Sequence, residues 1–141
     1  MATYTKFNQF VEDLCKKVHS LDTDTLKVVL TNTAPVATNA VRADITEIAA
    51  DNGYVAGGAQ AVFASGAQTA GTFKLVLSDV TFTGSGGSFG PSRFAVLYND
   101  TPTSPAKPLI AFWDFGTSIT ITNGNSFTVD LDQVNGVFTL A

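Results

Sequence analysis

Cysteine, histidine, tryptophan and methionine each occur once in this 141-residue chain. The lone Cys15 excludes an intramolecular disulfide and a cysteine-built zinc centre. The lone His19 leaves no second imidazole for a metal site. Charge is scarce too: Asp, Glu, Lys and Arg make up 14% of residues, and the formal net charge is −4. Residues 1–30 carry four lysines against four acids and are neutral. The rest of the chain, with four basic and eight acidic groups, supplies the whole deficit. No cluster of Lys and Arg is dense enough to neutralise a run of phosphates, which argues against nucleic acid as a partner. No run of about 18 apolar residues is present, so no membrane-spanning helix and no membrane partner are expected. The N-terminus reads as a polar helix rather than a signal sequence. Together with the single thiol, this points to folding in a reducing cytosol. Asn99-Asp100-Thr101 then reads as a turn rather than a glycosylation acceptor.

What is abundant favours sheet. Eleven phenylalanines and 19 threonines supply the aromatic and branched side chains that suit a pleated surface. The length fits one domain, residues 1–141, able to bury roughly two-thirds of its unfolded surface. Residues 4–20 predict the one helix, because Phe7, Phe10, Val11, Leu14 and Val18 repeat with a 3.6-residue period. Glu12 and Asp13 stand four residues before Lys16 and Lys17, and Thr5 is placed to cap the start. The stripe must lie on the chain's own sheet or on a neighbouring subunit, so these five apolar residues are the candidate interface. Residues 26–141 predict a β-rich body. It opens with the strand "LKVVLTN" and continues through an irregular excursion with a short strand near Ile45–Ile48 and a turn at Asn52-Gly53. "RFAVLYND" and "LIAFWDFG" are apolar on both faces, and "GSGGSFGPS" between strands reads as a flexible loop. Residues 117–141 read as a closing meander around Asn123-Gly124 and Asn135-Gly136, with Phe127, Val129 and Leu131 facing inward. The expected fold is mainly β: an antiparallel β-sandwich or barrel-like domain with one N-terminal amphipathic α-helix.

Few groups are able to do chemistry. The triplet Asp114-Phe115-Gly116 matches the metal-holding motif of protein kinases, but the Gly-rich loop, strand lysine and catalytic loop of that fold are missing. Asp114 reads instead as an edge or surface carboxylate on a strand. His19 reads as a polar residue near the helix C-terminus. Cys15 lies four residues before it, a spacing at which a helix brings two side chains together, though no third group stands by to orient the pair. Asp114, Asp130 and Asp132 are the acids left for glycoside hydrolysis. In an alternating strand, Asp130 and Asp132 would share a face where calcium could bind, but solvation is the plainer reading of two exposed acids. "GSGGSFG" lacks the lysine-hydroxyl pair of a phosphate loop. Trp113 alternates with core-type residues and reads as buried rather than as a sugar platform. The sequence therefore predicts no catalytic, metal-binding or cofactor-binding residue, and no enzyme.

The segments "DTLKVVLTNTAPVATNAVRADITEIAADNGYVAGG", "GPSRFAVLYNDTP" and "PLIAFWDFG", with the helix before them and the meander after, cover nearly the whole chain. In these phrases the chain resembles small tailed-bacteriophage virion structural proteins of the capsid decoration, or cement, type. The resemblance implies a protein made in the host cytoplasm and carried on the virion surface. There it would bind the outer face of the major capsid protein shell and stabilise the head. It implies self-association, with a trimer as the expected form, and it brings no catalytic residue and no cofactor. The alternative is a tail, neck or fibre-associated virion protein, with a carbohydrate-binding surface in one version. Decoration proteins act by burying surface, on the order of 1,600 Å² for an interface of ordinary size, multiplied over many copies.

Overall fold

The computed structural model describes residues 2–141. The order is β1 (Thr3–Lys6), α1 (Asn8–Cys15), β2 (Leu26–Thr31), a 3-10 turn (Arg42–Asp44), β3 (Ala59–Gln60), β4 (Phe63–Thr69) and β5 (Thr72–Leu77). Then follow β6 (Val80–Thr83), β7 (Phe89–Asn99), β8 (Leu109–Ile121), β9 (Ser126–Val129) and β10 (Phe138–Leu140). One sheet runs β1-β8-β7-β2-β3, a second β10-β5-β4, and β6 pairs with β9. All pairings are antiparallel. Terminal strands keep open edges, so the architecture is a sandwich and not a closed barrel.

The two long apolar runs lie at the centre of the five-stranded sheet, where β7 and β8 pair with each other and are flanked by β2 and β1. Alternate residues face opposite ways along a strand, and here both ways lead into protein. Leu30, Ala95, Leu97, Ala111 and Trp113 face the main core, which they share with Leu75 and Leu77 of β5, Phe82 of β6, Val129 of β9 and Phe138 of β10. Val29, Phe94, Val96, Tyr98 and Phe112 face a second, smaller core closed by Phe7 and Ile45. The excursion 32–58 puts Ile45 over that second face, sends Ile48 and Tyr54 to the main core, and is tied down through its backbone. Leu109 N–H donates to Ala40 O at 3.0 Å, Arg42 N–H to Lys107 O at 2.8 Å and Ile48 N–H to Leu30 O at 3.1 Å. The strand expected near Ile45–Ile48 is absent: the 3-10 turn and extended coil stand there, because the segment's hydrogen bonds run down to the sheet instead of along a ladder.

The predicted helix is shortened at both ends. Residues 3–6 form β1, with Tyr4 opposite Trp113 and Lys6 opposite Ala111. The free edge of β8 claims this segment for the sheet over its own helical periodicity. Thr5 is therefore a strand residue, and Phe7 holds the N-cap position. Beyond Cys15 the chain turns through Lys17 at φ 65. Phe7 and Phe10 are fully buried in the chain's own cores, whereas Val11 is 45% exposed and Leu14 and Val18 are half-buried. Phe7 and Phe10 are thereby withdrawn from any interface. Glu12 pairs with Lys16 as expected, but Asp13 turns inward, away from Lys17.

The closing meander is also corrected. β8, β9 and β10 do not pair with one another; they pair back in nested order with β7, β6 and β5. Residues 72–140 form one long ribbon doubled around the connection 100–108. The Thr122–Asn125 turn reverses the chain, as Asn-Gly implies, but β7 already occupies β8 as far as Ile121, so β9 finds its partner in β6. Phe127 is half-buried, edge-on to Phe115 at 5.0 Å, while Val129 and Leu131 are in the core as expected. The glycine loop is pinned rather than flexible. Asn52 Nδ2 donates to Ser88 O at 2.8 Å, and Gly86 N–H donates to Asn123 Oδ1 at 3.0 Å. Gly84 is needed for close approach, since a Cβ there would meet Thr122 O at 2.5 Å.

These placements separate two neighbours on the helix. Phe10→Ala is expected to cost about 3–5 kcal/mol, as for a fully buried aromatic, and Val11→Asp less than about 0.5 kcal/mol. Denaturant unfolding of the isolated chain measures both. Equal, small losses would mean that the stripe packs on something other than this chain.

Candidate functional site

The acids singled out in the sequence hold turns and strands together. Asp114 lies on β8 between Thr3 of β1 and Phe94 of β7, inside the sheet and not at its edge. Arg93 grips it through both oxygens, Nε to Oδ1 at 2.8 Å and the guanidinium NH2 to Oδ2 at 3.0 Å, and Gly116 N–H donates to Oδ1 at 2.8 Å. Those donors hold the carboxyl below the ordinary carboxylate value. Asp130 and Asp132 do not share a strand face, because β9 ends at Val129 and Asp132 has φ 50. Asp130 Oδ1 accepts the Asp132 N–H at 2.8 Å. Asp132 accepts the Asn135 N–H at 2.9 Å and its side-chain amide at 2.8 Å, which lowers its pKa. Among the described residues, no three His, Cys, Asp or Glu side chains come together in a way that could hold a metal ion.

His19 is the clearest departure from expectation. Because α1 stops at Cys15, the helical spacing between Cys15 and His19 does not apply. Cys15 is exposed, and His19 is 6% exposed. Its ring stands edge-on to Phe10 at 5.1 Å. The buried Asn99 donates from Nδ2 to His19 Nδ1 at 3.1 Å and to Asp24 Oδ2 at 2.6 Å, which assigns the ring hydrogen to Nε2. Burial lowers the His19 pKa from its ordinary 6.5, with Asp13 and Asp24 acting in the opposite sense. Asn99 ends β7 and is fully buried in this network, with the chain bending after it at Asp100 and Thr101, which does not suit a glycan acceptor.

A second polar cluster escaped sequence reading because Arg42, Glu47, Tyr54 and Gly57 lie in irregular chain and meet Leu30 of β2 and Tyr98 of β7 only in the fold. Glu47 Oε1 accepts from Tyr54 Oη and from Gly57 N–H, both at 2.7 Å, and Glu47 Oε2 pairs with Arg42. The Tyr54 oxygen also accepts the Leu30 N–H at 3.0 Å, and Tyr98 Oη donates to Gly57 O at 2.8 Å. Burial raises the pKa of both tyrosines, that of Tyr98 to about 12. The cluster ties the excursion to β2 and β7.

Three features remain open to a partner. A groove of about 430 Å³ lies beside β1, lined by Tyr4, Lys6, Trp113, Leu131 and Val137. Trp113 is 7% exposed, with Tyr4 edge-on to it at 5.5 Å, so it offers no free face for stacking. A second groove of about 430 Å³ runs between residues 14–22 and β5–β10, floored by Leu14, Leu21, Phe73 and Phe138.

The third feature is β4 itself. It ends the three-stranded sheet, pairing among the described residues only with β5, and all its residues after Phe63 are exposed. The half-buried rings of Phe63 and Phe73 lie over Gly66, each 3.1 Å from where a Cβ would stand. Residues 52–73 contain no Asp, Glu, Lys, Arg or His. This neutral segment also holds Val55 and Val62, which are 69% and 52% exposed. Native edge strands are usually short, charged or covered. β3 and β10, with two and three residues, follow that rule, and β1 has four residues and Lys6. The seven residues of β4 do not follow it.

The His19 environment predicts an acid-sensitive fold. A histidine whose pKa is depressed by folding lends stability above its unfolded value, near 6.5, and withdraws it as pH falls below that. The depressed carboxylates of Asp44, Asp114 and Asp132 respond only below about pH 5, where their unfolded forms begin to protonate, a separate window. The unfolding temperature is therefore expected to drop between pH 7 and pH 5. In His19→Asn, whose amide oxygen can take the Asn99 bond, the protein should be less stable overall but its pH profile flat across that range. An equally steep variant profile would assign the acid sensitivity elsewhere.

Comparison of the chain with protein-family models, with curated proteins and with solved structures finds no match.

Proposed function

We propose that this chain is a virion structural protein, a capsid decoration protein that stabilises a phage head by binding the outer surface of the major capsid protein shell and neighbouring copies of itself. The observation that carries this reading is the β4 edge: seven uncharged residues, exposed after Phe63, with one side of their backbone unpaired. A strand edge of that kind recognises another chain through main-chain hydrogen bonds, with small side chains allowing close approach. The neighbouring neutral segment widens the contact without a desolvation cost for buried charge. The acids that a glycan hydrolase would use are committed to Arg93, Gly116 and Asn135, which favours contact over catalysis. The phrases "GPSRFAVLYNDTP" and "PLIAFWDFG", shared in texture with small phage virion proteins, supply the particle; the edge supplies the means of attachment.

The test is on particles. Purified phage should contain the protein, and labelling in the electron microscope should distribute it over the head. Particles stripped of it should open at lower temperature and regain stability in proportion to restored occupancy. Recovery only from infected-cell extract would overturn the reading, and labelling confined to the tail or one vertex would move the protein to a tail, neck or fibre role.

A further inference from the structure

We propose that the β4 edge pairs with the β4 edge of a second copy, antiparallel about a two-fold axis through Ala67. This rests on reading β4 as a contact surface and names its occupant; it does not depend on the particle to which the protein binds.

The register follows from the hairpin. Ala70 and Gly71, at φ 51 and 84, form the two-residue turn between β4 and β5. In such a turn the flanking residues, here Thr69 and Thr72, are a hydrogen-bonded pair. Bonded and non-bonded pairs then alternate, so Ala67–Lys74 and Ser65–Val76 are bonded to β5, while Gly66 and Gln68 turn their N–H and C=O outward. The irregularity between Phe63 and Ser65 ends this regular stretch. The outward groups are thus two residues, two apart, either side of Ala67. Antiparallel pairing about Ala67 sets Gly66 opposite Gln68 of the second copy and Gln68 opposite its Gly66, satisfying all four N–H and all four C=O groups.

The side chains suit the same register. Ala67 meets Ala67 in the close, non-bonded position, where Cα atoms approach to about 4.5 Å and small residues fit. Ser65 meets Thr69, a hydroxyl pair of the kind that stabilises neighbouring strands. No charge meets its like, because β4 has none and Lys74 on β5 is held by the Val134 carbonyl at 3.0 Å. A charged edge, the common natural protection, would repel its own copy; this one is neutral throughout. The product is a continuous six-stranded sheet, β10-β5-β4-β4-β5-β10. One strand pair buries far less than the roughly 1,600 Å² of a stable interface. The contact is therefore weak in free solution and becomes effective between copies held close together on a common surface. Being two-fold, it joins pairs of copies, or neighbouring trimers where three-fold contacts exist as well.

Sedimentation across a concentration series tests the contact in three proteins. Ala67→Glu sets two glutamates face to face across the axis while placing each beside its own Lys74, so the fold is kept and self-association weakens by about fivefold or more. Ser65→Lys with Thr69→Glu creates two opposite-charge pairs across the axis and tightens association by about fivefold. Trapping gives a second readout. In a Cys15→Ser background, Ala67→Cys places two thiols within disulfide range and is expected to give a covalent dimer under diamide, which takes up the two electrons and two protons released. Val134→Cys, at a 79% exposed loop position, is the collision control. Association unchanged by both charge designs, or cross-linking no faster at 67 than at 134, overturns the self-pairing. If the Ala67→Glu protein then fails to decorate particles while the native protein does, β4 serves a capsid strand instead. If it decorates normally, β4 is not the contact surface.

Discussion

The structure depends on the pairing of β7 with β8, two long strands buried on both faces. Strands of this kind must be covered twice, and their near-continuous apolar composition requires it. The main core covers one face with β5, β6, β9 and β10, and Phe7 with Ile45 of the 32–58 excursion covers the other. Removing either cover would expose large aromatic and branched side chains at the centre of the molecule. The nested order of β5–β10 and β6–β9 follows from the same ribbon, because each pair continues the one inside it. A single long-range pairing thus decides where nearly every later residue lies.

Polar groups follow this apolar frame. A buried polar atom without a partner costs more than a typical hydrogen bond returns; the ionisable side chains here close turns and bind irregular backbone, although Asp13 Oδ2, His19 Nε2 and Arg42 Nε are buried without a partner. Glu47 gathers Tyr54, Gly57 and Arg42 where the excursion crosses the sheet. Asn99 holds Asp24 and His19 where the chain leaves the helix. Asp114 and Arg93 brace a strand pair as β7 and β8 leave the core. With so few charges in the chain, these structural duties use a large share of them. What is left at the β4 edge is neutral, and neutrality there is an invitation to pair.

That arrangement connects architecture to the proposed role. The three-stranded sheet that covers one face of the central sheet ends in a hairpin, β4–β5, whose tip and outer edge are small, uncharged and in solvent. The side chains give such an edge little specificity of its own. Its selectivity comes from backbone register and from the company in which it is held. A contact that is feeble between free molecules and firm between molecules on a lattice suits the proposed role.

Much of this was legible in the residues. Alternation and composition were enough to indicate an antiparallel β-sandwich or barrel-like domain with one N-terminal helix, and the unbroken apolar runs at 94–98 and 109–113 marked strands apolar on both faces. Asn-Gly pairs marked turns, and Trp113 read as core. What could not be read locally was competition for partners. Residues 3–6 are periodic enough for a helix but form β1, because β8 had a free edge to fill. His19 looked like a polar residue one helical turn from Cys15 until the helix stopped at Cys15 and Asn99, 80 residues away, drew it inside. Asn123-Gly124 announced a reversal without saying which strand would be met after it. The charge-free run from 52 to 73 stood in the sequence unremarked, since neutral residues describe a core as readily as a surface. Sequence alone determined which segments alternate, which turn and which must be buried, because those follow from the chemistry of neighbouring residues. Only the tertiary structure decided which edges stay unpaired, because that depends on every other strand having already found its partner.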